Sequence, residues 1–168
     1  MIIIGEKING AIPSIKQAIA EKNEALIIER TLAQANAGAN FLDCAPSTAT
    51  EIEYETMVWL IGLMQGATDV PLCIDSPNAK LLARVIEEGH LNKPGMVNSV
   101  NEEGDKCETI FPLIAGTPWE VVGLTCDQEG IPADPAKKVD IAKRIIDKAV
   151  RYGVSLNQLH IDPCVMAL

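Results

Sequence analysis

A chain of 168 residues, 48% apolar and 22% charged, has the composition of an ordinary globular domain and the length of one domain rather than two. Its formal charge of −9 disfavours nucleic acid or an anionic membrane surface as a partner, because binding phosphates needs a basic footprint, and leaves a small molecule or another protein. No stretch reaches the ~20 apolar residues that span a bilayer, and the N-terminal MIIIGEKING lacks the apolar core of a secretory signal.

Five cysteines, Cys44, Cys73, Cys107, Cys126 and Cys164, are an odd number without a C-x-x-C pair, poor material for a disulfide framework. A reducing, cytoplasmic setting is expected, with the thiols acting as small buried hydrophobes beside strands.

Short apolar runs alternate with longer segments of helical period, the pattern of βα units and a parallel sheet. In chain order, strands are expected at residues 2–5, 40–44, 71–75, 95–99, 120–125 and 158–162. Met57, Leu60, Ile61 and Met64 fall at i, i+3, i+4 and i+7 and predict an amphipathic helix after the second strand. Leu81, Leu82, Val85 and Ile86 predict another after the third, closed by Gly89, and Cys107, Ile110, Phe111 and Ile114 one after the fourth. Ala142, Ile145, Ile146 and Ala149 predict the last, with Asp134 placed to cap it, Pro135 at its first position and Gly153 just past its end. Strand starts lie about 31 residues apart, so eight units would need about 250 residues, the usual size of a TIM-type barrel. The expected fold is α/β: a TIM-type (β/α) barrel with about six of eight units present, residues 1–168 forming one incomplete barrel.

In such a barrel the chemistry sits at the C-terminal rim. The strands run into Glu6, Lys7 and Asn9; Asp43; Asp75, Ser76 and Asn78; Asn98, Ser99 and Asn101; Thr125 and Asp127; and Asp162. Asp, Asn and Ser after a strand often make turns or cap the next helix, and Asn78, Asn101 and Asp127 are read that way. Asp75, Asn98 and Asp162 belong to the strands themselves, where capping explains less. Two acids and an amide on one rim suit a ligand with a fixed row of donors and acceptors, the edge of a pterin or a guanine. The lack of a Gly-rich phosphate loop favours the pterin. A metal ion is the competing ligand, since Asp43, Asp75, Asp162, His160, Cys44, Cys126 and Cys164 all fall near strand ends, but none shows ligand spacing and no metal is expected.

Seven segments in order, I-I-G-E-K-I-N-G (3–10), L-D-C (42–44), C-I-D-S-P-N (73–78), M-V-N-S-V-N (96–101), F-P-L (111–113), G-L-T-C-D-Q-E-G-I-P (123–132) and H-I-D-P (160–163), resemble the methyltetrahydrofolate:corrinoid/iron–sulfur protein methyltransferases. The resemblance implies a pterin-binding barrel that exchanges a methyl group between 5-methyltetrahydrofolate, or tetrahydrofolate in reverse, and the cobalt of a corrinoid. It places Asp75, Asn98 and Asp162 at pterin-contacting positions, with Asp75 and Asn98 the residues expected to act in catalysis, and Glu6, Asn9, Asp43 and Ser99 in neighbouring segments. With no D-x-H-x-x-G corrinoid motif in the chain, the corrinoid is expected on a partner protein; a homodimer is expected from the family alone. The family also draws an Asn from a later strand to hold the folate N5. No position here matches it, so the chain is expected to be C-terminally truncated. Dihydropteroate synthase shares the barrel, but its loops after the first two strands are replaced here by E-K-I-N-G and C-A-P-S, and diphosphate chemistry is not expected. The folate half of cobalamin-dependent methionine synthase is also similar. A non-catalytic pterin-binding fragment and a metal-dependent barrel enzyme are the remaining alternatives.

Overall fold

The computed structural model describes residues 1–165. In chain order the elements are β1 (Ile4–Gly5), α1 (Pro13–Ala20), α2 (Glu24–Asn36), β2 (Phe41–Cys44), α3 (Thr50–Ala67), β3 (Leu72–Asp75), α4 (Ala79–Glu87), β4 (Met96–Glu102), α5 (Lys106–Ile114), β5 (Glu120–Asp127), α6 (Pro135–Tyr152) and β6 (Leu159–Asp162). The strands form one sheet in the order β1-β2-β3-β4-β5-β6, every pair parallel. Six expected strands and four expected helices are therefore present. The architecture is a half-barrel of alternating strands and helices, as a TIM-type barrel with about six units requires.

Alternation along each strand separates two cores. Leu42, Cys44, Leu72, Ile74, Val97, Val121 and Leu159 face the helices and join one large cluster with the helical stripes. Phe41, Cys73 and Met96 face the other way and make a small cluster with Ile4 and Val122. The inner face of the curved sheet is thus lightly filled with apolar groups, and its polar residues stand out against them.

The stripes of α3 and α5 are buried in full: Met57, Leu60, Ile61 and Met64, and Cys107, Ile110, Phe111 and Ile114. In α6 the buried line is Ile141, Ile145 and Ala149, with Ala142 and Ile146 half-buried, so that helix is rotated by part of a turn from the expected face. Asp134 caps it by accepting from Ala136 N at 2.9 Å, Pro135 is its first residue, and Gly153 ends it at φ 80°. Ile86 of α4 is only half-buried, as is Cys164, whereas the other four cysteines are buried.

The connection from β1 to β2 contains α1 and α2, for which no stripe was expected. The buried side of α2 is Ile27, Thr31 and Gln34. Polar side chains interrupt the apolar period there and satisfy themselves on backbone: Thr31 Oγ1 donates to Ile27 O at 2.8 Å, and Gln34 Oε1 accepts from Lys7 N at 2.7 Å.

Gly95, immediately before β4, runs so close to β3 that a Cβ built there would lie 2.1 Å from the carbonyl oxygen of Leu72. That oxygen belongs to the sheet backbone and cannot move aside. Gly95→Ala is expected to cost about 3 kcal/mol or more in urea unfolding, in the range of severe core substitutions; a loss below about 0.5 kcal/mol would show that the strands are not so closely spaced.

Candidate functional site

β2 and β3 near their C-terminal ends, and β4 at its third residue, bring three polar side chains to the inner face. Asp43 shares that face with Phe41, Asp75 with Cys73, and Asn98 with Met96, each two residues along its strand. The register makes Asp75 and Asn98 direct partners and continues through Val122 to His160, while Asp43 lies opposite Cys73, one inward step below. Asp162 closes β6 opposite Leu124, one inward step above His160 on the same face. The ladder thus brings Asp75 and Asn98 side by side and sets Asp43 and Asp162 on neighbouring steps.

Asp43 is 1% exposed, and its Oδ1 is buried without a hydrogen-bond partner among the described residues. Burial, then the charges of Asp75 and Glu6, push its pKa up to about 8, and the neighbouring Cys73 thiol offsets only part of this. Asp75 is raised to about 6 by burial, Glu6 and Glu53 in that order. Near pH 7 Asp43 therefore holds a proton and Asp75 is mostly ionised, so the pair offers one donor and one acceptor. Burial also raises the Cys44 and Cys73 thiols, which stay protonated and unreactive at neutral pH.

The other expected site residues are placed as follows. Glu6 is exposed in the loop after β1 and contributes its charge to both acids. Asn9 is held in that loop by local bonds, its Oδ1 accepting from Ala11 N at 2.9 Å and from Ser47 Oγ at 3.2 Å. Ser99 falls in a register break of β4 between Asn98 and Val100, an irregularity that re-aims side chains at a strand end. Asp162 is exposed, and its Oδ1 accepts from Cys164 N at 2.7 Å. Asn78, read as a cap, is one, accepting from Leu81 N at 3.2 Å. Asn101, read as a turn residue, makes that turn, its Oδ1 accepting from Glu103 N at 3.0 Å, and it is also buried in β4, where its Nδ2 donates to Cys126 Sγ at 3.2 Å. Asp127 ends β5 and accepts from Glu129 N at 3.0 Å.

Two supports escaped the sequence reading. Glu53 of α3 is 6% exposed and accepts from Ser76 Oγ at 2.6 Å, which fixes the turn that follows Asp75. Its signal was position: Glu53 extends the Met57 and Leu60 stripe by one turn, where an apolar residue belongs. Farther along the inner face, between β6 and β5, His160 Nε2 meets Glu120 Oε2 at 2.5 Å. Among the described residues no group of three or more His, Cys, Asp or Glu side chains is placed to hold a metal ion, and no helix is long and apolar enough to cross a membrane.

An acceptor, a donor and an amide on one barrel rim form a surface for a flat heterocycle with alternating N–H and lone-pair positions. The sequence profile of the family described as pterin binding enzyme matches residues 11–167. The chain belongs to the pterin-binding enzyme family. It is 49% identical to a methylcorrinoid:tetrahydrofolate methyltransferase of Eubacterium limosum, over 100% of this chain and 62% of that protein. It is 28% identical to a methionine synthase of Mycobacterium leprae (strain TN), over 96% of this chain and 14% of that one. Solved structures with the same fold include a dihydropteroate synthase of Xanthomonas albilineans in complex with 7,8-dihydropteroate, at TM-score 0.65 and 20% identity, covering 97% of this chain and 58% of that one. Another is the Vibrio fischeri ES114 synthase, at TM-score 0.63 and 16% identity, covering 96% and 60%. At such identities the likeness is one of fold. The chain thus spans under two thirds of the first two of these relatives and of both structures.

The buried acid makes stability depend on pH with a definite sign. A carboxyl whose folded pKa lies above its unfolded value binds more protons in the folded state, so stability falls as pH rises from about 4 to about 8. The total is on the order of 5 kcal/mol at 1.36 kcal/mol per unit. Asp43→Asn keeps the shape and removes the titration, so its urea midpoint is expected to vary much less than wild type across that window. Equal slopes for the two proteins would mean that Asp43 ionises freely in the folded chain.

Proposed function

We propose that this chain is the pterin-binding part of a methyltransferase that moves a methyl group between the N5 of tetrahydrofolate and the cobalt of a corrinoid carried by a separate protein. The observation that carries the reading is the Asp75–Asn98 pair at the end of a parallel ladder, in a chain whose whole length aligns at 49% identity with a protein named for that reaction.

The residues fit a reduced pterin. Asp75, ionised near neutrality, accepts two parallel N–H bonds from a 2-amino group and the adjacent ring N–H, as carboxylates do. Asn98, beside it, both donates and accepts, which fixes which edge of the ring enters. Asp162 offers a second carboxylate one step higher, with one oxygen held by Cys164 N and the other without a partner among the described residues. The unpartnered Asp43 Oδ1 beneath them is the kind of buried atom that a bound heterocycle completes.

The corrinoid cobalt supplies or receives the methyl group when its protein docks over the rim. In the direction given by the relative's name, N5 gains the methyl carbon and loses a proton; in the reverse direction it regains the proton as the carbon–nitrogen bond breaks. Without protonation N5 would leave as an amide anion, too poor a leaving group, so that proton must be delivered as the bond lengthens. Asp43 and Asp75, one protonated and one ionised near pH 7, share the proton that either direction requires and exchange it with N5 through the hydrogen bonds around the ring. The loops E-K-I-N-G and C-A-P-S leave diphosphate chemistry without its expected groups, so the synthase-like fold does not bring the synthase reaction.

Asp75→Ala is expected to weaken tetrahydrofolate binding at least about tenfold in equilibrium titration, the equivalent of 1.4 kcal/mol, with the melting temperature little changed. Unchanged affinity would remove Asp75 from the site. For activity, methylcobalamin and tetrahydrofolate are mixed with the chain and loss of the alkylcobalt absorbance is followed. Transfer faster than the uncatalysed background is expected, whereas folate binding without transfer would leave a non-catalytic pterin-binding fragment.

A further inference from the structure

The loop that follows β2 and Asp43 also borders a cavity. This cavity, of about 520 Å³, sits between α1, α3 and that loop. Ile19, Ala20, Pro46, Ala49 and Ile52 make one side of it apolar. Lys16 and Lys22 line the other, and neither forms an ion pair among the described residues. Glu55 also lines it, so the lining carries two lysines against one glutamate, a local excess of positive charge in a chain of net charge −9. Lys22 is held in place from outside, its Nζ 4.1 Å from the centre of the Trp59 ring.

Two features show that this is a shaped site and not a gap in packing. Thr48 lines the cavity, and its Oγ1 is buried without a partner among the described residues. Lys22 (φ 53°) and Ser47 (φ 47°) also line it, and they are two of the three non-glycine residues with left-handed backbone among those described. Such conformations persist where the surroundings enforce them and gather at binding sites.

The cavity is tied to the rim. Pro46 follows Asp43 by three residues, so its Cα lies within about 11 Å of that of Asp43 at full extension. The loop is clamped to the β1 loop by Gly10 N donating to Ala45 O at 2.9 Å and Ser47 Oγ donating to Asn9 Oδ1 at 3.2 Å. A ligand that fills the rim and continues over this loop needs an apolar planar segment followed by negative charge. A folate has that order: reduced pterin, p-aminobenzoyl ring, then glutamate carboxylates.

We propose that the cavity between α1 and α3 takes the p-aminobenzoyl-glutamate tail of the bound folate, the aromatic ring against Ile19, Pro46 and Ile52 and the carboxylates on Lys16 and Lys22. Thr48 Oγ1 then gains a partner in the tail's amide or carboxylate. The inference rests on the rim being the pterin site, and the experiment separates the two.

Equilibrium titrations at low salt compare 6-methyltetrahydropterin, which has no tail, with the mono- and triglutamyl forms of tetrahydrofolate, on wild type and on a Lys16→Ala, Lys22→Ala double variant. Wild type is expected to bind more tightly as the tail grows, by roughly tenfold from no tail to triglutamate, and to lose most of that gain in high salt, where such charges are screened. The double variant is expected to lose the increment and to keep its affinity for the tail-less pterin. Equal wild-type affinity for all three ligands, or an increment that survives in the double variant, would overturn the tail site and leave the rim reading intact. Failure of wild type to bind any of the three would remove the rim reading and this inference with it.

Discussion

The register of three short parallel strands decides what this molecule can do. Because side chains alternate with a period of two, the pairing of Asp75 with Asn98 and of Asp43 with Cys73 puts both acids and the amide on the inner face. A slip of one residue in any of these strands would turn its polar end group into the helix layer and bring an isoleucine, cysteine or valine inward. The large outer cluster prevents that slip, since Leu42, Leu72, Ile74 and Val97 would each leave the packed layer.

The same constraint creates the electrostatics. Two carboxylates held in one poorly hydrated space, with Glu6 near both, cannot all carry full charge near neutrality, and the deepest of them keeps its proton. A rim of this kind is costly for the free protein and useful to a ligand that presents N–H groups to one acid and a lone pair to the other. The buried Glu53–Ser76 pair holds the turn after Asp75 in place, so the acceptor is positioned before any ligand arrives.

Much of this was legible in the residues. All six strands lie where apolar runs and turn residues put them, because each is a short stretch bounded by breakers. The polar ends of β3, β4 and β6 were separable from ordinary caps because they follow strand residues directly. What could not be read has physical causes. The helices before β2 were hidden by Thr31 and Gln34, which occupy the buried side of α2 and break its apolar period. Strands β4 and β5 run on to Glu102 and Asp127 because register breaks let pairing continue past the residues that looked like turns. The proton on Asp43 depends on burial and on Asp75 and Glu6, which meet only in the folded chain. The cavity between α1 and α3 was invisible because one wall belongs to a helix that the periodicity did not reveal.

The central claim is that the Asp75–Asn98 pair receives the edge of a reduced pterin. A crystal structure of the chain with tetrahydrofolate tests it most directly. The expected result places the pterin N–H groups within hydrogen-bond distance, about 3 Å, of the Asp75 carboxylate, with the Asn98 amide on the same ring. A pterin seated elsewhere, or one that leaves Asp75 and Asn98 facing only water, would contradict the account.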